Sequence, residues 1–248
     1  MSSVKSSAIV LKSIIWRDTS KIVTLFTREL GKINVIAKGA RRSKSNYQGV
    51  LESINRIEVV VYISPTRKLQ LLGQISLEDT FKKIRADYEK TVYAFALLEL
   101  TDIFFKEGAD DAIYFDFLII ILSEIGNISD PRIVFWYFLI KLSSYLGFKP
   151  IFSHCSICNR FITTEEVDFS FREGSVICKN CSLSSGRDWH LSTTARKSLF
   201  HLQNLNHKKL SKVEINLDKN FAFTDFLLAY LRYHSDEKLN LTSLHLIK

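Results

Sequence analysis

The sequence predicts an α+β chain in which a small five-stranded β-barrel is followed by a mainly α-helical domain with an inserted, cysteine-bearing module. Three observations lead there. Five short strand-like runs fill the first eighty residues, and the apolar period turns helical from about Ile84. All four cysteines fall in one spacing, Cys155-x2-Cys158 and Cys178-x2-Cys181. The implied organisation is 1–80 for the barrel, 81–150 and 183–248 for the helical domain, and 151–182 for the insert.

The strand-like runs are Ser7 to Trp16, Ile22 to Thr27, Lys32 to Lys38, Arg56 to Ile63 and Leu69 to Glu78, with Gly31, Gly39, Pro65 and Gly73 as punctuation. Five strands of this length suit a Greek-key barrel. The OB-fold is the barrel of this size most often used on single-stranded nucleic acid.

Beyond the barrel, Tyr88, Val92, Phe95, Ala96, Leu100, Ile103 and Phe104 recur at helical spacing through Phe105. Ala112 to Ile125 reads as a second helix. A third opens at Pro131, where the missing N–H costs nothing, with Asp130 as its cap, and runs to Leu146 before Gly147. Ser192 to Leu205 and Phe223 to His234 are further helices, each too short to stand without packing partners.

The cysteine spacing is that of a structural Zn2+ site. Disulfides, a redox pair and buried thiols are the competing readings. The start Met1-Ser-Ser-Val-Lys5 has no basic segment with a cleavage site, so a disulfide-permissive compartment is not expected. A thioredoxin-like pair would sit beside a βαβ pattern, whereas here Val167, Phe169 and Phe171 alternate with polar residues, Glu173-Gly174-Ser175 turns, and Val176-Ile177 lead into the second pair. That is a zinc-ribbon-like hairpin with Cys155, Cys158, Cys178 and Cys181 as ligands. His154 reads as a flanking residue, because four thiolates already close a tetrahedral site.

The charge is lopsided. Residues 1–80 hold thirteen Lys/Arg against six Asp/Glu, a balance of +7, while the remainder carries only +1 of the chain's net +8, so the excess belongs to the barrel. Between Glu29 and Glu52 stand Lys32, Lys38, Arg41, Arg42 and Lys44 with no acid among them, and a polyanion is the expected partner of these five. The plain reading of such a run is a solvated loop that aids solubility. Tyr47 could stack on a base, but an aromatic near a strand is more often a packing residue, and Tyr47, Trp16 and Phe26 are all read that way.

Signals for catalysis are few. The sequence has no P-loop, G-x-S-x-G elbow or H-E-x-x-H motif, and no H-x-E partner for a deaminase-type cysteine pair. His201 and His207 lack a carboxylate cluster, and Asp110-Asp111 and Glu165-Glu166 are adjacent pairs that point apart. The longest apolar run, Ile133 to Ile140, is well short of the roughly 20 residues of a membrane span. A non-enzymatic binding protein is expected.

Taken in order, Ser7-Ala-Ile-Val-Leu11, Lys21-Ile-Val-Thr-Leu-Phe-Thr27, Gly31-Lys32, Ala37-Lys-Gly-Ala-Arg-Arg42 and Lys44-Ser45 follow one family pattern. The paired cysteines with Gly174 before Cys178, and Leu231-Arg-Tyr-His234, agree with it. On these motifs the chain resembles the RecO family of bacterial DNA repair and recombination mediators, over nearly its whole length. It departs at Leu51-Glu-Ser-Ile54, where the family usually shows Pro-Phe, and at the single glycine before the second cysteine pair.

The resemblance implies an N-terminal OB-fold, a helical domain interrupted by a structural zinc module, and a cytoplasmic, nucleoid-associated protein. It also implies binding of single- and double-stranded DNA, annealing of complementary strands, and action with RecR to load RecA onto DNA covered by the single-stranded DNA-binding protein SSB. The acidic, aromatic-ended tail of SSB would be held by the helical domain. The alternative is an OB-fold and zinc-ribbon factor for RNA or transcription. A metal-dependent nuclease would need a carboxylate cluster that the sequence does not show.

Overall fold

The structure, a computed structural model, describes residues 2–108, 111–182, 188–212, 217–235 and 237–247. Of the sequence features singled out above, Met1 and Asp110 lie outside them. The chain divides into two compact units, Met1–Asn127 with Asn240–Lys248, and Ile128–Leu239.

The first unit opens with a closed barrel of β1 (Ser2–Trp16), β2 (Ser20–Thr27), β3 (Gly31–Ala37), β4 (Arg56–Ile63) and β5 (Gln70–Asp79), in the order β1-β2-β3-β5-β4. All neighbours run antiparallel except β3 and β5, which are parallel. This is the expected OB-type barrel. Alternation places Val23, Leu25, Ile33, Val35, Ile57, Val59 and Val61 inside it, each buried. β1 starts five residues earlier than its sequence pattern indicates. Ser2 to Ser7 show no apolar alternation, and their strand conformation comes from pairing with β4, from Ser2 opposite Ile63 to Ser7 opposite Glu58.

β2 is buried on both faces at its C-terminal end, because Phe26 points out of the barrel into an aromatic cluster. Its ring lies 5.2 Å from Phe105, 5.5 Å from Tyr114 and 6.4 Å from Phe115. Those residues belong to the helical segment of the same unit: α1 (Lys82–Arg85), α2 (Tyr88–Phe104) with Phe105 at its end, and α3 (Ala112–Asn127). Phe26 is therefore a packing residue. Phe26→Ala should cost about 3–5 kcal/mol, read as a lower denaturant midpoint.

The helical period from Ile84 is broken in two. Asp87 takes an extended conformation, and its carboxylate accepts from the Lys90 amide at 3.1 Å, so α2 starts afresh at Tyr88. Asp111 serves α3 in the same way, accepting from the Tyr114 amide at 2.8 Å. The C-terminal 3-10 turn Ser243–Leu246 returns to α2, with the Ser243 hydroxyl donating to Glu99 at 3.0 Å.

The second unit begins with α4 (Pro131–Tyr145), capped by Asp130 as the sequence indicates. β6 (Ile151–Cys155), β7 (Val167–Ser170), β8 (Ser175–Cys178) and β9 (Trp189–Leu191) form one sheet in the order β6-β8-β7-β9. The short α5 (Lys179–Ser182) follows β8, then come α6 (Thr193–Asn204), a 3-10 segment His207–Lys212, and α7 (Phe223–His234). The hairpin between the cysteine pairs is β7–β8, with Val167 opposite Cys178 and Ser170 opposite Ser175. It does not stand alone. Phe169 packs on Phe226 at 5.2 Å and on Tyr230 at 5.5 Å, so the sheet shares its core with α7.

Gly174 closes the hairpin at φ +61, and a Cβ there would lie 2.7 Å from the Tyr230 hydroxyl. One glycine suffices for this turn because only Gly174 in it takes a left-handed backbone. Among the described residues, no helix is long and apolar enough to cross a membrane.

Candidate nucleic-acid interface and thiolate cluster

The basic run sits in the long β3–β4 connection, and the structure shows how that connection is held. Gly39, at φ +74, turns the chain off β3, and Ala40 is buried behind it. The Arg41 amide then donates to the Thr19 carbonyl at 2.9 Å, and its Nη1 to the Asp18 carbonyl at 2.9 Å. Both acceptors lie in the β1–β2 turn, so two loops are tied together at one end of the barrel. Further along, Leu51 and Ile54 are wholly buried, the Ile54 amide bonds the Val10 carbonyl at 2.9 Å, and Asn55 donates to Gly49 and Val50. The Leu51-Glu-Ser-Ile54 segment thus plugs the barrel, with Ile54 held at φ +77.

Tyr47 belongs to this plug. Its ring packs on the barrel core, its hydroxyl donates to the Gly73 carbonyl at 2.9 Å, and burial raises its phenol above the ordinary value. Its partly buried ring serves packing. Lys38, Arg42 and Lys44 are exposed on this pinned loop, and Arg41 is exposed with one nitrogen engaged.

Lys32 is set apart from these four. Its side chain is only 13% exposed, and its ammonium donates to the backbone carbonyl of Asp102 and lies 3.2 Å from the Asp102 carboxylate. It points toward α2, where it neutralises a carboxylate. The charge run alone does not separate it from its neighbours, but its place does: it alternates with inward-facing Ile33, and the outer face there is covered by helix.

Other basic residues stand on the barrel's turns without belonging to the run, Arg17 at the end that carries Arg41 and the β4–β5 turn at the end where β1 begins. Arg17 stands in the β1–β2 turn at φ +54, its guanidinium 6.0 Å from the ring centre of Trp16. Arg67 and Lys68 are exposed in the β4–β5 turn. The signal for them was positional. In an OB barrel the β1–β2 and β4–β5 loops flank the binding face.

In the second unit, the sulfur atoms of Cys155, Cys158, Cys178 and Cys181 all lie within 4.8 Å of one another, from knuckles at the ends of β6 and β8. Cys158 and Cys178 are 3.8 Å apart. A tetrahedral ion with metal–sulfur bonds near 2.3 Å sets sulfurs about 3.8 Å apart, so the donor set fits such an ion. Burial disfavours the Cys155 thiolate, but N–H donors from Cys158, Cys178 and Ile157 outweigh it and bring the thiol down to about 6; the Cys178 amide lies 3.4 Å from that sulfur.

Cys178 is also lowered against the cost of burial, chiefly by the Arg160 guanidinium, which donates to Glu165 as well at 2.7 Å. Cys181, hydrogen-bonded to the sulfurs of Cys178, Cys158 and Cys155, is pushed up to about 12. Four sulfurs this close cannot all ionise without a cation among them. His154 stays outside the cluster: its Nδ1 contacts the Ser153 hydroxyl at 2.9 Å and its ring meets Phe161 edge-on.

Glu165 and Glu166 diverge as their sequence positions imply, one to Arg160 and one to within 3.7 Å of His190.

Residues 1–81 match the family model described as Recombination protein O N terminal, and residues 85–243 match Recombination protein O C terminal. The chain is 28% identical over 232 residues to the DNA repair protein RecO of Caldicellulosiruptor saccharolyticus, covering 94% of this chain and 93% of that one. It is 27% identical over 238 residues to the protein of that name from Desulforamulus reducens, covering 96% and 92%. Over 177 residues it is 34% identical to that from Shouchella clausii, covering 71% and 68%.

Proposed function

The chain belongs to the recombination protein O family of DNA repair proteins, and from that membership we propose that it mediates recombinational repair by binding DNA strands and bringing complementary strands together. The observation that carries this is the exposed set Lys38, Arg42 and Lys44 on a loop pinned at both ends of its basic stretch to an OB barrel. Cations held this way contact phosphates on strands of any sequence. By screening two backbones at once they lower the repulsion that opposes annealing.

The reading extends to partners and cofactor. The protein acts with RecR to load RecA onto single strands coated by SSB, in the bacterial cytoplasm. It does so without catalysing bond chemistry. The four cysteines hold Zn2+, whose charge would settle the competition among their thiols and fix the two knuckles to the hairpin.

Strand annealing on SSB-coated DNA, with pull-down of RecR and of SSB with and without its C-terminal tail, tests this. Accelerated annealing and capture of both partners are expected. Binding confined to RNA, with no annealing, would overturn it in favour of an RNA or transcription factor.

A further inference from the structure

The four sulfurs that fit a metal are not equally protected, and the difference lies in what each one touches. Cys155 and Cys178 are each 1% exposed. The Cys155 sulfur accepts from the amides of Cys158, Cys178 and Ile157, and the Cys178 sulfur accepts from the Arg160 guanidinium. Such donors draw electron density from a thiolate and lower its nucleophilicity.

Cys158 is the exception. It is exposed, as is the whole stretch Ser156 to Phe161 around it, and among the described residues its sulfur has hydrogen-bond contacts with the other three sulfurs alone. One of these, Cys178, stands 3.8 Å away on the opposite knuckle. Apart from these four cysteines, the sulfur of the chain is a single methionine, Met1. The barrel strands therefore carry no oxidisable thiol, and an oxidant that seeks sulfur finds its target in the second unit.

We propose that Cys158 is a modification site for hydrogen peroxide and related two-electron oxidants, which join it to Cys178 as a disulfide and so release the metal from the module. The inference rests on the metal-binding reading above. In the first step the Cys158 thiolate attacks a peroxide oxygen, forming an S–O bond as the O–O bond breaks and hydroxide leaves. In the second the Cys178 thiolate attacks the Cys158 sulfur, forming the S–S bond as the S–O bond breaks and a second hydroxide leaves. Two electrons pass from the sulfur pair to the peroxide. Cys155 and Cys181 then remain as the only thiol donors, too few to close a tetrahedral site.

The test treats the full-length, zinc-loaded protein with hydrogen peroxide beside a colorimetric zinc chelator, quenches portions with an alkylating reagent, and maps the cysteines by mass spectrometry after trypsin. Cleavage after Arg160 and Lys179 puts the first knuckle, Cys178 and Cys181 on separate peptides, and fragment ions tell Cys155 from Cys158. Zinc release should keep pace with a link between Cys158 and Cys178, and a dithiol reductant with added zinc should reverse both. Cys158 should be consumed on the order of tenfold faster than Cys155, as exposure and hydrogen bonding direct. DNA affinity should hold throughout. Cys158→His keeps a zinc donor but cannot form the link, so its release of zinc should be slower by on the order of tenfold. Should that variant fail to take up zinc, the order of cysteine loss in the unmodified protein decides alone.

Loss of all four cysteines at one rate, or first loss at Cys155 or Cys181, would overturn the proposal, as would zinc release without a disulfide. Failure of the metal reading looks different. The purified protein would then hold no zinc, while peroxide still joined Cys158 to Cys178.

Discussion

Replacing Lys38, Arg42 and Lys44 together with alanine should weaken DNA binding on the order of 10- to 100-fold at moderate salt, to a similar extent for strands of different sequence. The loss arises because each side chain is exposed on a loop whose backbone is fixed elsewhere, by Gly39, Arg41, Tyr47 and Asn55. Removing three phosphate contacts should flatten the plot of log affinity against log salt by about 2 for single strands and nearer 3 for duplex. Fluorescence anisotropy between 50 and 200 mM salt, on the order used for such slopes, reads both quantities. An unaltered slope would show that these cations do not meet phosphates.

Lys32→Ala is the informative companion. Because Lys32 neutralises Asp102 in a largely enclosed position, its loss should appear first as lower thermal stability, with the salt slope retained. Arg41→Ala combines the two effects, since its guanidinium also ties the β1–β2 turn.

Cys178→Ser should destabilise the second unit by on the order of 3–5 kcal/mol, and a strong chelator should do so at least as much, with release of bound metal. Cys178 is buried, ends β8, and lies in register with Val167 of β7, so a lost ligand loosens the hairpin as well as the knuckle. The aromatic packing of Phe169 on Phe226 and Tyr230 remains, which keeps the cost below that of an isolated zinc module. Metal-binding thiols must shed their protons, so the stabilisation should fade as pH falls. DNA affinity should change little while the barrel stays folded. A fall in affinity with folding intact would contradict the division of roles between barrel and cysteine module.

Much of the architecture was legible in the chain. Arg56–Ile63 and Phe223–His234 are observed with the bounds their periodicity implies, because each shows a clean alternation or an unbroken helical face. Pro131 with Asp130 marked its helix start correctly, since capping chemistry is local. The break at Asp87 was less visible. Its apolar neighbours continue the helical period, and the extended cap interrupts only the backbone.

Local pattern determined the five-stranded barrel, the helical half, the fourfold cysteine set and the concentration of positive charge near the N-terminus. These follow from period, turn residues and ligand spacing, all of which act within a few residues. Tertiary structure alone decided the uses of individual side chains. Lys32 and Lys38 are alike in sequence, yet one faces α2 and the other solvent. Tyr47 and Trp16 are both aromatic residues near basic ones in the sequence, yet one packs on the barrel core and the other, at the end of β1, is 43% exposed. That sorting depends on which helix covers which face of the closed barrel, a matter of contacts between residues some seventy positions apart, such as Lys32 with Asp102.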